Sequence, residues 1–268
     1  MTPAAEGRSG LRLWPWSPAR PTRSPGLPRV IGHRGAAAAA PENTLASLRM
    51  ARTLGATWVE FDVKLTADGF PILIHDDRLE RTTDGNGRVG ARTLAQIRAL
   101  DAGGWFAPAF HGERVPTLEE ALALCLELGL GINVEIKASR GREVETARAT
   151  VAVLREHWPP QAPAPLISSF AHVALLVARD LAPGLPRGYL TDRVPRAWAL
   201  ELQRYGCATL HTNQRWITAQ RIRTLQDAGV PLLLYTVNDP ERARQLLRLG
   251  ATSVFTDRVD EVLAAIEP

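Results

Sequence analysis

Trp58-Val59-Glu60-Phe61-Asp62-Val63-Lys64-Leu65, then Thr66-Ala67-Asp68-Gly69, then Phe70-Pro71-Ile72-Leu73-Ile74-His75-Asp76 reads as two β-type runs joined by a tight turn. Asp-Gly between such runs is a hairpin signal. A two-residue turn at Asp68-Gly69 sets Asp62 opposite His75. Too few residues separate the runs for a parallel crossover, which takes a dozen or more. The second run is therefore the return arm of a hairpin and does not belong to the main strand series.

With that arm set aside, the strand candidates are Arg29–Gly32, Trp58–Val63, Ile132–Ile136, Leu166–Ser169, Arg187–Leu190, Ala208–His211, Leu232–Val237 and Ser253–Thr256. Amphipathic stretches with recognisable ends lie between them. Thr44 caps a helix with Leu45, Leu48, Ala51 and Leu54 near one face, and Gly55 closes it. Thr117 with Glu120 forms a capping-box pattern on a helix running to Gly129. Thr218 opens another helix and Pro240 a further one. Eight strands alternating with helices predict a (β/α)8 TIM barrel, for which about 250 residues suffice. Residues 64–116 hold only a short helix candidate at Thr93–Leu100, with its own Thr93/Gln96 capping box. They read as a small insertion between strand 2 and its following helix.

The sequence pI of about 9.6 invites a nucleic-acid partner until the charge is located. Residues 1–29 carry five arginines, one acid and six prolines, while the remainder carries 27 basic and 27 acidic residues. The body is neutral, which argues against nucleic acid. Residues 1–28 read as a disordered basic Pro/Arg-rich tail, a transit-type leader or the product of an early start codon. The barrel domain is assigned to 29–268. No apolar run of about 18 residues predicts a membrane span. Cys125 and Cys207 both fall in apolar segments, as buried free thiols do in a reducing compartment, so the expected location is cytoplasmic.

Barrel enzymes carry their chemistry at the C-terminal strand ends. His33-Arg34-Gly35 ends the first strand. Glu60 and Asp62 share one side of the second strand, and Asn133, Glu135 and Lys137 share one side of the third. Carboxylates at Glu60, Asp62 and Glu135 would repel one another if buried together without a cation. A hard divalent ion, Ca²⁺ or Mg²⁺, suits all-oxygen ligation; the competing reading pairs them with Lys64, Lys137 and Arg34 as structural salt bridges. His33 and His75 converge on these acids from two segments. Paired imidazoles can accept one proton and donate another, which phosphodiester cleavage requires. His111, His157 and His172 read as structural, and His211 stays undecided.

The ordered set His33-Arg34-Gly35, Pro41-Glu42-Asn43-Thr44, Glu60-Phe61-Asp62-Val63 and His75-Asp76 resembles the glycerophosphodiester phosphodiesterases, of bacterial cytosolic type. The likeness extends through Thr66-Ala67-Asp68-Gly69, Val115-Pro116-Thr117-Leu118-Glu119-Glu120, Val134-Glu135-Ile136-Lys137, Ser168-Ser169-Phe170, Thr236-Val237-Asn238 and Phe255-Thr256-Asp257. The resemblance implies hydrolysis of a small glycerophosphodiester to sn-glycerol 3-phosphate and an alcohol. It implies His33 and His75 as the acid–base pair, and Glu60, Asp62 and Glu135 as ligands for Ca²⁺ or Mg²⁺. Arg34 and Lys137 would contact phosphate, with Glu42 and Asn43 supporting substrate and metal. By analogy with related barrel phospholipases, the substrate's own glycerol hydroxyl would attack phosphorus, giving a cyclic phosphate that water opens. Tyr235 stands where the family commonly has Trp, and Arg258 where Pro often follows Thr-Asp; both bear on alcohol preference. Two rivals remain. A lysophospholipid- or phosphoinositide-directed phosphodiesterase would show an apolar rim from Trp105, Phe106 and Phe110, residues otherwise read as the insertion's own core. A non-catalytic phosphate-ester-binding barrel would tolerate loss of the histidines.

Overall fold

The computed structural model describes residues 26–266. All but the last three residues of the expected tail 1–28 lie outside the described residues. The strands are β1 (Val30–Gly32), β2 (Trp58–Leu65), β3 (Pro71–Leu73), β4 (Gly131–Ile136), β5 (Leu166–Ser169), β6 (Arg187–Thr191), β7 (Thr209–Asn213), β8 (Leu232–Tyr235) and β9 (Ser253–Thr256). The helices are α1 (Leu45–Thr53), α2 (Leu94–Arg98), α3 (Leu118–Glu127), α4 (Glu143–His157), α5 (His172–Leu181), α6 (Trp198–Tyr205), α7 (Ala219–Asp227), α8 (Pro240–Arg248) and α9 (Val259–Ile266). Every strand except β3 runs parallel to its neighbours, and Gly32 of β1 pairs with both Val59 of β2 and Thr256 of β9. That double pairing closes the sheet into the (β/α)8 barrel that the alternation predicts.

Several helices start at side chains that satisfy orphan N–H groups. Thr44 accepts from the Ser47 amide, and Thr117 and Glu120 complete a reciprocal capping box on α3. Thr93 and Gln96 do the same for the single-turn α2. Asp239 caps α8 ahead of Pro240.

Strand alternation sorts the residues into two shells. Val59, Phe61 and Val63 of β2, and Ile132, Val134 and Ile136 of β4, face the helices and pack with Leu122, Val151 and Leu154. Each fully buried side chain of this size contributes roughly 1.5–3 kcal/mol. The inward shell is apolar at its floor, where Ile31, Trp58, Leu166, Leu233 and Phe255 cluster, and polar above it. Two glycines make room for large inward groups. A Cβ on Gly131 would meet the Trp58 ring at 2.2 Å, and one on Gly188 would meet His211 Nε2 at 2.4 Å.

The β2–β3 hairpin differs from the expected register by one residue. Val63 pairs with Leu73 and Lys64 with Ile72, so Asp62 lies across from Ile74, whose amide donates to the Asp62 carbonyl at 3.0 Å. The loop closes over Ala67, Asp68 and Gly69, three residues instead of two, with Gly69 at φ +85°. Asp68 causes this, because its carboxylate accepts from Thr66 Oγ1 at 2.6 Å and from the Leu94 amide at 2.9 Å. β3 ends at Leu73, the Ile74 amide makes the last bond to β2, and His75 reaches the barrel mouth from irregular chain beyond it.

Residues between β2 and α3 build a separate aliphatic core of Ile72, Ile74, Leu79, Val89, Ile97, Ala102 and Val115. Trp105, Phe106 and Phe110 are not part of it, which corrects the sequence expectation. They form an edge-to-face series with centroids 5.7 and 5.5 Å apart, and Trp105 is exposed. Cys125 and Cys207 are buried and unpaired. No helix among the described residues is long and apolar enough to cross a membrane.

Candidate active site

Parallel register places Glu60 beside Asn133 and Asp62 beside Glu135. All four side chains are buried, and one oxygen from each of Glu60, Asp62 and Glu135 lies within 4.8 Å of the other two. Arg34 Nε meets Asp62 Oδ2 at 3.3 Å. Lys137, just past β4, reaches Glu135 at 3.0 Å and Asp62 at 3.5 Å. Lys64 takes no part, contrary to the salt-bridge reading: its ammonium binds Asp77 at 2.7 Å and the Lys137 carbonyl at 2.9 Å.

Two cations against three buried carboxylates leave the cluster undercompensated. Burial raises all three carboxyl groups. At Asp62 the charges of Arg34, Lys137 and His75 overcome that penalty and hold the group well below the ordinary range. Glu60 is driven well upward by burial and then by Asp62 and Glu135. Burial, followed by Asp62, raises Glu135 to about 7. Glu60 Oε1 is buried and accepts no hydrogen bond. An oxygen-only donor set with excess negative charge and an unpaired acceptor fits a hard divalent cation, which Glu60, Asp62 and Glu135 could hold.

The loop after β1 is bent sharply to serve this cluster. Arg34 and Asn43 adopt left-handed backbone at φ +52° and +57°, and Gly35 sits between Arg34 and the buried Ser47 at φ +88°. A Cβ on Gly35 would lie 2.4 Å from Ser47 Oγ. Ser47 Oγ bridges the turn, donating to the Arg34 carbonyl and accepting from the Ala36 amide. The bend lets the Arg34 amide donate to Glu60 Oε2 at 3.0 Å. Asn43 clamps Asp62 from both sides: its Nδ2 donates to Oδ2 at 2.9 Å, and its Oδ1 accepts the Asp62 amide at 3.1 Å. Glu42 receives Arg34 at 2.7 Å.

Both histidines are oriented by carboxylates. His33 Nδ1 donates to Asp257 Oδ1 at 2.6 Å, which leaves Nε2 4.0 Å from Glu60. Asp257 is held in turn by Asn238 Nδ2 at 2.6 Å, while the Asp257 amide donates to Asn238 Oδ1. His75 Nδ1 donates to Asp76 Oδ1 at 2.7 Å. Burial, with Arg34 and Lys137 adding, pushes the His75 imidazole below its ordinary value against the opposing pull of Asp62 and Asp76. His33, Arg34, Glu60, His75, Glu135 and Lys137 line one cavity of about 260 Å³.

Asp257, Asn238, Asp76 and Arg81 were not singled out from sequence for a role, although the first three lie in quoted motifs. Asp257 follows the last strand, so only barrel closure brings it beside His33. His211, undecided from sequence, lies at the cavity wall with Nε2 2.9 Å from Thr209 Oγ1. Complete burial depresses it to about 3, so it is neutral. Phe170 and Tyr235 stand edge to face, centroids 6.0 Å apart, with Lys137 Nζ 5.6 Å from the Phe170 ring.

The sequence profile of the glycerophosphoryl diester phosphodiesterase family matches residues 33–261. The chain belongs to this family. As a glycerophosphoryl diester phosphodiesterase family member it is an enzyme of the phosphoric diester hydrolase class. A glycerophosphodiester phosphodiesterase of Caldanaerobacter subterraneus subsp. tengcongensis is 34% identical over 231 residues, covering 85% of this chain and 93% of that protein. One from Bacillus subtilis is 32% identical over 256 residues, covering 88% and 86%. A solved phosphodiesterase of Oleispira antarctica, in complex with the product sn-glycerol-3-phosphate, superposes with a TM-score of 0.88 at 42% identity, covering 90% of this chain and 98% of that one.

Proposed function

We propose that this family member hydrolyses small glycerophosphodiesters to sn-glycerol 3-phosphate and an alcohol such as choline, ethanolamine or glycerol. The observation that carries this reading is the pair of carboxylate-backed imidazoles, His33 and His75, lining one cavity with Glu60, Glu135, Arg34 and Lys137. The product bound by the Oleispira antarctica relative supports the choice of glycerol phosphate.

In the proposed reaction Arg34 and Lys137 offset charge on the non-bridging phosphoryl oxygens. One imidazole removes the proton from the neighbouring glycerol hydroxyl as its oxygen attacks phosphorus. The other protonates the departing alcohol oxygen. Water then opens the cyclic phosphate with the two histidines in exchanged roles. Asp257 and Asp76 fix each ring with Nδ1 protonated, so that Nε2 is the atom left for proton transfer. Glu60, Asp62 and Glu135 would hold the divalent ion, Ca²⁺ or Mg²⁺, which would supply Lewis-acid polarisation when bound. Glu42 and Asn43 keep Arg34 and Asp62 in place. The proposed setting is cytoplasmic, and the two buried, unpaired cysteines suit a reducing compartment.

A lysophospholipid substrate is less well supported, because Trp105, Phe106 and Phe110 do not line the central cavity. The test is release of glycerol 3-phosphate from glycerophosphocholine, with lysophosphatidylcholine alongside. We expect turnover of the first that chelator abolishes and that His33→Ala or His75→Ala reduces at least a hundredfold, in keeping with the general acid–base contribution. Chelator-insensitive turnover would remove the metal, and full activity in His33→Ala would remove the histidine mechanism.

A further inference from the structure

Arg81 lies on the insertion, away from the substrate cavity, yet it is bonded to both halves of the site. Its NH1 and NH2 donate to the two oxygens of Glu42 at 2.6 and 2.8 Å. Its Nε and NH2 donate to the two oxygens of Asp76 at 2.7 and 3.0 Å. Each carboxylate has a second partner in the site. Glu42 Oε1 also receives Arg34 at 2.7 Å, and Asp76 Oδ1 receives His75 at 2.7 Å. One guanidinium thus closes a chain from Arg34 through Glu42, Arg81 and Asp76 to His75.

We propose that Arg81 is a positioning residue that sets the phosphate-facing Arg34 and the imidazole of His75 in register with each other. An ordinary surface ion pair contributes little, but three features separate Arg81 from that class. It makes four charge-assisted bonds in two bidentate pairs. Its partner Glu42 keeps only 11% side-chain exposure. The backbone on either side is anchored: Leu79 is buried in the insertion core, Thr82 and Thr83 are buried, and Thr83 Oγ1 donates to the Leu79 carbonyl at 2.7 Å. The fork therefore projects from a fixed platform. Lysine cannot replace it, since a single ammonium cannot offer two parallel pairs of donors to two carboxylates. Without Arg81, Glu42 and Asp76 lose their shared cation, and the loops carrying Arg34 and His75 are free to shift independently.

This inference rests on the reading of the site as a glycerophosphodiesterase, and the experiment separates the two. Steady-state kinetics on glycerophosphocholine would compare wild type with Arg81→Gln, Arg81→Lys, Glu42→Gln, Asp76→Asn and the doubles Arg81→Gln/Glu42→Gln and Arg81→Gln/Asp76→Asn. Arg78→Gln serves as control, since Arg78 makes an exposed pair with Glu80 on the same insertion. Arg81→Gln should raise KM and lower kcat, with kcat/KM falling about a hundredfold, the cost of displacing reacting groups by roughly 1 Å. Glu42→Gln should act mainly on KM and Asp76→Asn mainly on kcat. Each double should be little worse than Arg81→Gln alone, because the residues act as one unit. Arg81→Lys should recover folding stability but not kcat. Added guanidinium should restore part of the activity of Arg81→Ala, a rescue that a misfolded variant could not give. Kinetics of Arg81→Gln within twofold of wild type, or losses that multiply independently in the doubles, would overturn the proposal. No turnover by wild type or Arg78→Gln would instead count against the reading of the site itself.

Discussion

Replacing Glu135 by Gln should stabilise the metal-free protein at high pH while destroying its function. Burial and the adjacent Asp62 raise Glu135 from 4.5 to about 7 in the folded state. A carboxyl with a raised folded pKa contributes stability that is fully present below the unfolded value and is lost as pH rises through the folded one. The lost contribution spans pH 4.5 to 7, which at about 1.4 kcal/mol per unit amounts to on the order of 3 kcal/mol. Between pH 5.5 and 8.5 the share that wild type loses is about 2 kcal/mol. The amide has no such titration, so Glu135→Gln should gain that amount on wild type across the interval. Groups that do not feel Glu135, His211 among them, drop out of the comparison, while Glu60, relieved of the Glu135 charge in the variant, shifts it in the same direction. Urea unfolding in chelator at several pH values reads the difference directly. Adding Ca²⁺ at pH 8.5 should reverse the order, because an ion that binds only the folded state at 100 times its Kd adds about 2.7 kcal/mol to wild type. Parallel stability curves for the two proteins across the pH range would refute the picture of an undercompensated cluster.

His211→Gln should remove a different pH dependence. Its folded pKa is depressed from 6.5 to about 3, so its stabilising contribution is present above pH 6.5 and is lost as pH falls towards 3. The wild-type advantage should shrink by roughly 2 kcal/mol between pH 7 and pH 5 in chemical denaturation, and a constant gap would contradict it. Gly188→Ala places a Cβ 2.4 Å from His211 Nε2 and 2.8 Å from Thr209 Oγ1, so a loss of about 1–3 kcal/mol is expected by thermal melting. Asp257→Asn keeps the shape beside His33 but no longer enforces protonation at Nδ1. Its kcat should fall at least a hundredfold with near-wild-type circular dichroism; unchanged kcat would deny Asp257 an orienting role.

How much of this was legible in the sequence depended on the range of the interaction. Strand positions and faces are local, because alternation alone puts Glu60 and Asp62 on one side and Val59, Phe61 and Val63 on the other. Caps are equally local, and Thr44, Thr93, Thr117 and Thr218 all bond as their spacing predicts. The hairpin register was not local. It turns on Asp68 reaching the Leu94 amide, 26 residues away, and so closing a three-residue loop. Asp257 was invisible as a partner for His33 because 224 residues separate them and only the closing β1–β9 pairing joins them. Arg81 sits in irregular chain with no period to mark its direction. Lys64 looked like a counter-ion for the acids, but Asp77 and the Lys137 carbonyl take its ammonium.

The placing of unmet demands argues that the acidic cluster is more than a structural salt bridge. A structural cluster is expected to balance its charge and fill its hydrogen bonds, since an unpaired buried acceptor costs about 1–3 kcal/mol. Here Glu60 Oε1 and Asn133 Oδ1 are buried without a hydrogen bond, while Glu135 Oε1 and Arg34 Nε make only ion pairs, with Lys137 at 3.0 Å and Asp62 at 3.3 Å. The two non-glycine residues with left-handed backbone among the described residues, Arg34 and Asn43, border the same cluster. Arg34 and Lys137 secure Asp62 but leave Glu60 and Glu135 raised. Strain, missing donors and excess negative charge thus meet at one end of the barrel. That concentration supports the proposed cation and phosphate ester, because both would supply what these residues lack.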